Sequence, residues 1–85
     1  MTQEEVWTAL KDSILEVLPE YMLHDIRPEA SLRDFGANSI DRAEIIMLAL
    51  SRLKLKIPLV EFAPAKNNHD LMTIFLAHAR YETVT

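Results

Sequence analysis

One serine in this chain sits where a hydroxyl could be put to chemical use. The run Asp34-Phe35-Gly36-Ala37-Asn38-Ser39-Ile40-Asp41 holds the single glycine and leads into the longest apolar-periodic segment. Gly36 can take a positive φ without steric cost, as a tight loop requires. Asn38 is a good helix N-cap, and Asp41, three residues on, can answer the free N–H groups of the same turn. Ser39 then falls in the first turn of a helix, where its side chain can point outward. A helix N-terminus favours phosphate, because its unpaired N–H groups and the macrodipole both suit negative charge. The pattern predicts a place to carry a covalent phosphodiester on the Ser39 hydroxyl.

Other chemistry is harder to assemble. His24, His69 and His78 are far apart and lack ligand spacing, so they read as surface or rim histidines and no metal site is expected. None has a reason to act as a base for Ser39, so no catalytic residue is assigned. A lone glycine cannot build a glycine-rich phosphate cradle. The chain has no cysteine, hence no disulfide and no thiol nucleophile of its own.

The 85 residues make one small domain, 1–85, with a limited core. A formal net charge of -4 argues against nucleic acid and suits docking to enzymes with basic patches. The N-terminus lacks a charged stretch followed by an apolar one, so no signal peptide is expected. No apolar run reaches the roughly 18 residues a membrane span needs. The expectation is a cytoplasmic, monomeric protein that meets no membrane, and the start at Met1 favours a free-standing one.

Four helical elements must position the serine. Thr2-Gln3-Glu4-Glu5 reads as a capping box that starts the first helix. Val6, Leu10, Ile14, Val17 and Leu18 form its core stripe, Trp7 lies at the rim, and Pro19 ends it. From Glu20 to Ala30 the pattern fades. Ile26 reads as a core plug from a loop, and Arg27 before Pro28 disfavours helix there. Ser31 to Asp34 forms a second capping box, a short turn that docks Leu32 and Phe35. The second long helix spans about Ser39 to Lys54, with Ile45, Ile46, Ala49 and Leu53 toward the core. Ile40, Glu44, Met47 and Ser51 share a second face. Two readings are open for it: a helix buried on two sides, or an exposed partner surface of mixed apolar and acidic character. Arg42 is out of place in a first turn, where a cation is disfavoured. It is a candidate partner-selecting residue, whereas Arg52, Lys54 and Lys56 read as solvated cations that suit the helix C-terminus. Leu55 to Pro58 is an extended link, and Leu59 to Ala63 a short third helix stopped by Pro64. Ile57, Leu59 and Phe62 are expected to close the bundle. Asn67 or Asn68 caps the last helix, whose stripe is Leu71, Ile74, Phe75 and His78, with Tyr81 at its end and Glu82 to Thr85 frayed.

At the Ser39 stretch the sequence resembles the acyl carrier proteins. The family signature is an Asp-x-Gly-x-Asp-Ser-Leu-like run, then a helix, then Ile-Pro; here Asp34 to Ile40 is followed by Asp41 to Lys56 and by Ile57-Pro58. Asn38 stands where most members have Asp. The likeness covers nearly the whole chain and is weakest from Leu18 to Ala30. It implies an all-α fold, a small four-helix bundle of three longer helices and one short third helix, with a long first connection. It also implies covalent 4′-phosphopantetheine at Ser39, attached from coenzyme A by a phosphopantetheinyl transferase. The protein is then a carrier, not an enzyme, and the second face of the long helix is an exposed partner surface made of Ile40, Asp41, Arg42, Glu44 and Met47. A narrower resemblance, carried by Gly36 to Glu44, Ile57 to Ala63 and Ala65-Lys66-Asn67, is to the free-standing carriers of polyketide β-branching cassettes. It implies an acetyl or related short acyl thioester, made from malonyl, delivered to an HMG-CoA-synthase-like enzyme. An acyltransferase and a decarboxylating ketosynthase-like enzyme would supply it. The alternatives are a generic fatty-acid or polyketide carrier and, in another class, a helical interaction module in which Ser39 is only part of a helix start.

Overall fold

The first helix is fixed at its start by reciprocal side-chain bonds. In the computed structural model, which describes residues 1–19, 26–31 and 37–84 (80–84 by backbone alone), α1 spans Gln3–Val17. The Thr2 hydroxyl accepts from the Glu5 N–H at 3.1 Å and the Glu5 carboxylate accepts from the Thr2 N–H at 3.1 Å. This is the capping box the sequence predicts. The Leu18 N–H closes the last turn on the Ile14 carbonyl, and Pro19 cannot continue the ladder.

Helix α2 spans Ser39–Leu53 and packs chiefly against α1, while α3, Asn68–Val84, covers α1 from another side. Between them Leu59–Phe62 forms a 3₁₀ helix where the sequence predicts a short third helix to Ala63. Among the described residues there is no strand, and no helix is long and apolar enough to cross a membrane. The core joins Val6, Leu10, Ile14 and Leu18 of the first segment to Ile45, Ile46, Ala49 and Leu50 of α2. Ile57, Phe62, Leu71, Met72 and Phe75 complete it. Ile26 is buried from its loop as expected, and Trp7 is half-buried at the rim with the Lys11 ammonium 5.6 Å from its ring centre.

Four expectations shift. Leu50 is buried and Leu53 only partly so: Leu50 follows Ile46 by one turn and shares its buried face. Leu59 is 43% exposed rather than a core residue: in a helix of four residues only Phe62 turns inward, where its ring meets Phe75 at 4.9 Å. The last helix continues to Val84 instead of fraying at Glu82, since no glycine or proline interrupts it. Arg52, read as a solvated C-terminal cation, instead donates to the buried Ser13 hydroxyl and to the Glu16 carboxylate, each at 2.7 Å. Ser13 in turn donates to the Ala9 carbonyl, so a polar group at the α1–α2 seam is fully partnered. The short turn expected at Ser31–Asp34, with Leu32 and Phe35, and the conformation of Gly36 lie outside the described residues, as do Tyr21 to Leu23.

The end of α2 carries the one non-glycine positive φ among the described residues. Lys54 has φ 56° and ψ 41°, and the next N–H, of buried Leu55, bonds the Leu50 carbonyl at 3.0 Å. This is a helix stop that ordinarily takes glycine, because a Cβ is disfavoured in the left-handed region. Lys54 is exposed and its side chain is not needed by the stop. Lys54→Gly is therefore expected to raise stability by about 0.5–1 kcal/mol in urea unfolding. A loss of stability would show that the lysine side chain contributes more than its backbone costs.

Candidate functional site

Ser39 is the first residue of α2 and is exposed. The turn before it is held locally. The Asn38 side-chain oxygen accepts from the Asp41 N–H at 2.8 Å, and the Asp41 carboxylate accepts from the Asn38 N–H at 3.4 Å. Asn38 is thus the cap, as its type and spacing predict, and Ser39 is spared that task. Its hydroxyl stands at the positive end of a 15-residue helix with no capping bond to keep.

The face beyond it is open. Ile40 is 77% exposed and Met47 55%, with Glu44 and Ser51 exposed beside them. The face is therefore open to solvent, and α2 is not buried on two sides. Asp41 is half-buried, being turned back to the cap. Val60 of the 3₁₀ helix adds a further exposed apolar side chain, 73% accessible.

Arg42 is the residue whose surroundings the sequence concealed. Its Nη2 donates to the Phe62 carbonyl at 2.6 Å and to the Ala65 carbonyl at 3.2 Å. A cation that is unfavourable for its own helix is instead used as a strut to carbonyls 20 and 23 residues on. It ties the start of α2 to the segment after the 3₁₀ helix. Between those two elements lies an open cleft of about 810 Å³ that begins at Ser39. Ser39, Arg42, Ala43 and Ile46 line one side; Leu59, Ala63, Ala65 and Lys66 line the other.

The first turn of α3 completes the surroundings. Asn67, not Asn68, is the cap: its side-chain oxygen accepts from the Asp70 N–H at 2.8 Å, while the Asp70 carboxylate accepts from the Lys66 N–H at 2.9 Å. Asn68 is 1% exposed and holds the first connection. Its amide nitrogen donates to the Arg27 carbonyl at 3.0 Å, its backbone N–H to Ala30 at 2.9 Å, and the His69 N–H to Pro28 at 2.7 Å. No local pattern could have disclosed these bonds, since each spans about forty positions of sequence. His78 is half-buried, His69 exposed, and His24 lies outside the described residues. Among the described residues no three potential metal ligands come together.

Residues 8–71 match the family model described as "Phosphopantetheine attachment site". The chain is 42% identical over 74 residues to the Polyketide biosynthesis acyl-carrier-protein AcpK of Bacillus subtilis (strain 168), covering 87% of this chain and 90% of that protein. It superposes with a TM-score of 0.82 and 39% identity on a chain of the crystal structure of the curacin biosynthetic pathway HMG synthase in complex with acetyl donor-ACP. That match covers 91% of this chain and 99% of the other. The protein belongs to the phosphopantetheine-binding acyl carrier proteins. Proteins of this family carry covalently bound substrate and do not catalyse its conversion; their prosthetic group is 4′-phosphopantetheine. The residues here suit that group: an exposed hydroxyl at a helix N-terminus, beside a cleft.

Proposed function

We propose that Ser39 is the attachment point of 4′-phosphopantetheine and that the protein delivers a short acyl group, acetyl, to an HMG-CoA-synthase-like enzyme during polyketide β-branching. The reading is supported above all by the likeness, over almost the entire length of both chains, to a carrier crystallised as an acetyl donor with an HMG synthase. When bound, the prosthetic group supplies a thiol that holds the acyl unit as a thioester and activates its carbonyl and α-carbon. The chain supplies position. The start of α2 would offer its unpaired N–H groups to the phosphodiester, and Asn38 and Asp41 keep that turn in shape. A transferase would bring the base and the metal for attachment. An acyltransferase and a decarboxylating ketosynthase-like enzyme would furnish the acyl unit, and the carrier would act as a cytoplasmic monomer.

Partner choice is assigned to the open face of α2. Ile40, Glu44 and Met47 offer apolar and acidic contacts within two turns of Ser39, with Asp41 and Arg42 at the edge. Arg42 is also a strut, so reversing its charge disturbs the cleft wall as well as any contact; Met47→Ala is the cleaner probe. An exposed methionine that anchors a complex costs about 1–2 kcal/mol when truncated, roughly tenfold in affinity. Acetyl transfer from the loaded protein to an acceptor-bound β-keto thioester is the test. The wild type should serve the HMG-CoA-synthase-like enzyme well, Met47→Ala about tenfold less well at limiting carrier, and a fatty-acid carrier bearing the same acetyl group poorly. Equal rates for all three would mean that the enzyme reads only the arm.

A further inference from the structure

The cleft beside Ser39 has an unexpected charge. Its described lining includes two cations, Arg42 on α2 and Lys66 on the facing rim, and no carboxylate, in a chain whose formal net charge is -4. We propose that this cleft is a receiving site for an acyl group that ends in a carboxylate, with Arg42 and Lys66 as its counter-charges. The proposal rests on the reading that Ser39 carries the arm.

Arg42 is prepared for the role. Two carbonyls hold Nη2, which fixes the guanidinium at the cleft wall before any ligand arrives. A guanidinium has five N–H donors, and the bonds to Phe62 and Ala65 come from one nitrogen only. Lys66 is exposed and brings a mobile ammonium from the other side. Asp41 and Asp70, which flank these elements in sequence, have their carboxylates turned to the backbone N–H groups of Asn38 and Lys66. Ile46, Leu59, Ala63 and Leu71 give the cleft an apolar part against which a short methylene stem can lie.

The selection follows from desolvation. An alkyl acyl group laid in the cleft would cover guanidinium N–H groups without replacing their water, which is costly. A terminal carboxylate offers charge-assisted bonds in exchange. Tethering at the rim lowers the affinity required: a short flexible tether gives an effective concentration of about millimolar, so a millimolar ion pair is already half formed.

The test uses wild-type protein, Arg42→Gln and Lys66→Gln, each charged from the coenzyme A ester with bare arm, acetyl, acetoacetyl or malonyl. Intact mass is read first; failure of wild type to gain mass would overturn the Ser39 reading itself. In loaded wild type, malonyl should shift the amide resonances of Ala63, Ala65 and Asn67 and raise Tm by about 2 °C over acetyl and acetoacetyl, as half-occupancy predicts. Salt at about 1 M should remove most of the difference. Both variants should lose it. Lys66→Gln carries the decision, because Lys66 is exposed and its loss leaves the Arg42 strut in place. Equal shifts for malonyl and the neutral acetoacetyl group would overturn the proposal. So would shifts already complete with the bare arm, which would assign the two cations to the phosphodiester.

Discussion

The Ser39→Ala protein, incubated with coenzyme A and a broad-specificity phosphopantetheinyl transferase, is expected to gain no mass, while the wild type is converted fully to the holo form. Both proteins should give the same helical circular dichroism. The reason is local. Asn38 supplies the capping bond of α2, and Ser39 is exposed and outside the core, so the stability change should stay within about 0.5 kcal/mol. Asn38→Ala is the contrasting change: it removes the cap and is expected to cost about 1 kcal/mol. A mass gain in Ser39→Ala would move the attachment point elsewhere. A collapse of its helical signal would make the serine a structural residue and leave the interaction-module reading standing.

Phe62→Ala should have the largest effect on stability. Its side chain is fully buried, and its ring packs on Phe75 at 4.9 Å with a tilt of 50°. It is the one buried side chain of the 3₁₀ helix, since Leu59 and Val60 are exposed. Truncation of a buried phenylalanine costs about 3–5 kcal/mol. Total stability for a domain of 85 residues is about 4–13 kcal/mol. The urea midpoint should therefore fall by about a quarter or more with an unchanged slope. A loss below about 1 kcal/mol would show that the segment from Pro58 to Ala65 is held by the Arg42 bonds instead. Arg42→Met would then become the severe change, and the two variants together separate the anchors.

How far the sequence disclosed these features depended on distance along the chain. The boxes at Thr2/Glu5 and Asn38/Asp41, the cap at Asn67/Asp70 and the stripe of α1 are legible because partners lie three or four residues apart. Residue type and spacing then carry the whole interaction. The place of Ser39, first in α2 and exposed, was legible for the same reason. Arg42, Arg52 and Asn68 were not, because what each bonds depends on how the helices meet. Arg42 read as a misplaced surface charge; it is satisfied by carbonyls that only the folded 3₁₀ segment brings near. Leu59 was misplaced because four residues contain too little period to reveal which side faces inward. The open face of α2 was ambiguous for a further reason: Ile40 and Met47 are as apolar as core residues, and only packing separates the two.

The bonds from the start of α3 to Arg27, Pro28 and Ala30 have a consequence for the order of events as the chain folds. The cap of α2 can form as soon as that helix does, since it closes a loop of only a few residues. The connection leading toward the serine is secured by groups up to 41 residues further on. Closing so long a loop is slow and is repaid only when α3 has docked. During synthesis the ribosome releases α3 last. A chain halted before Asn68 has the serine but lacks the donors that hold the path into it. Attachment at Ser39, as proposed, would then report on the C-terminal fifth of the protein, and a transferase that requires an ordered turn would pass over unfinished chains.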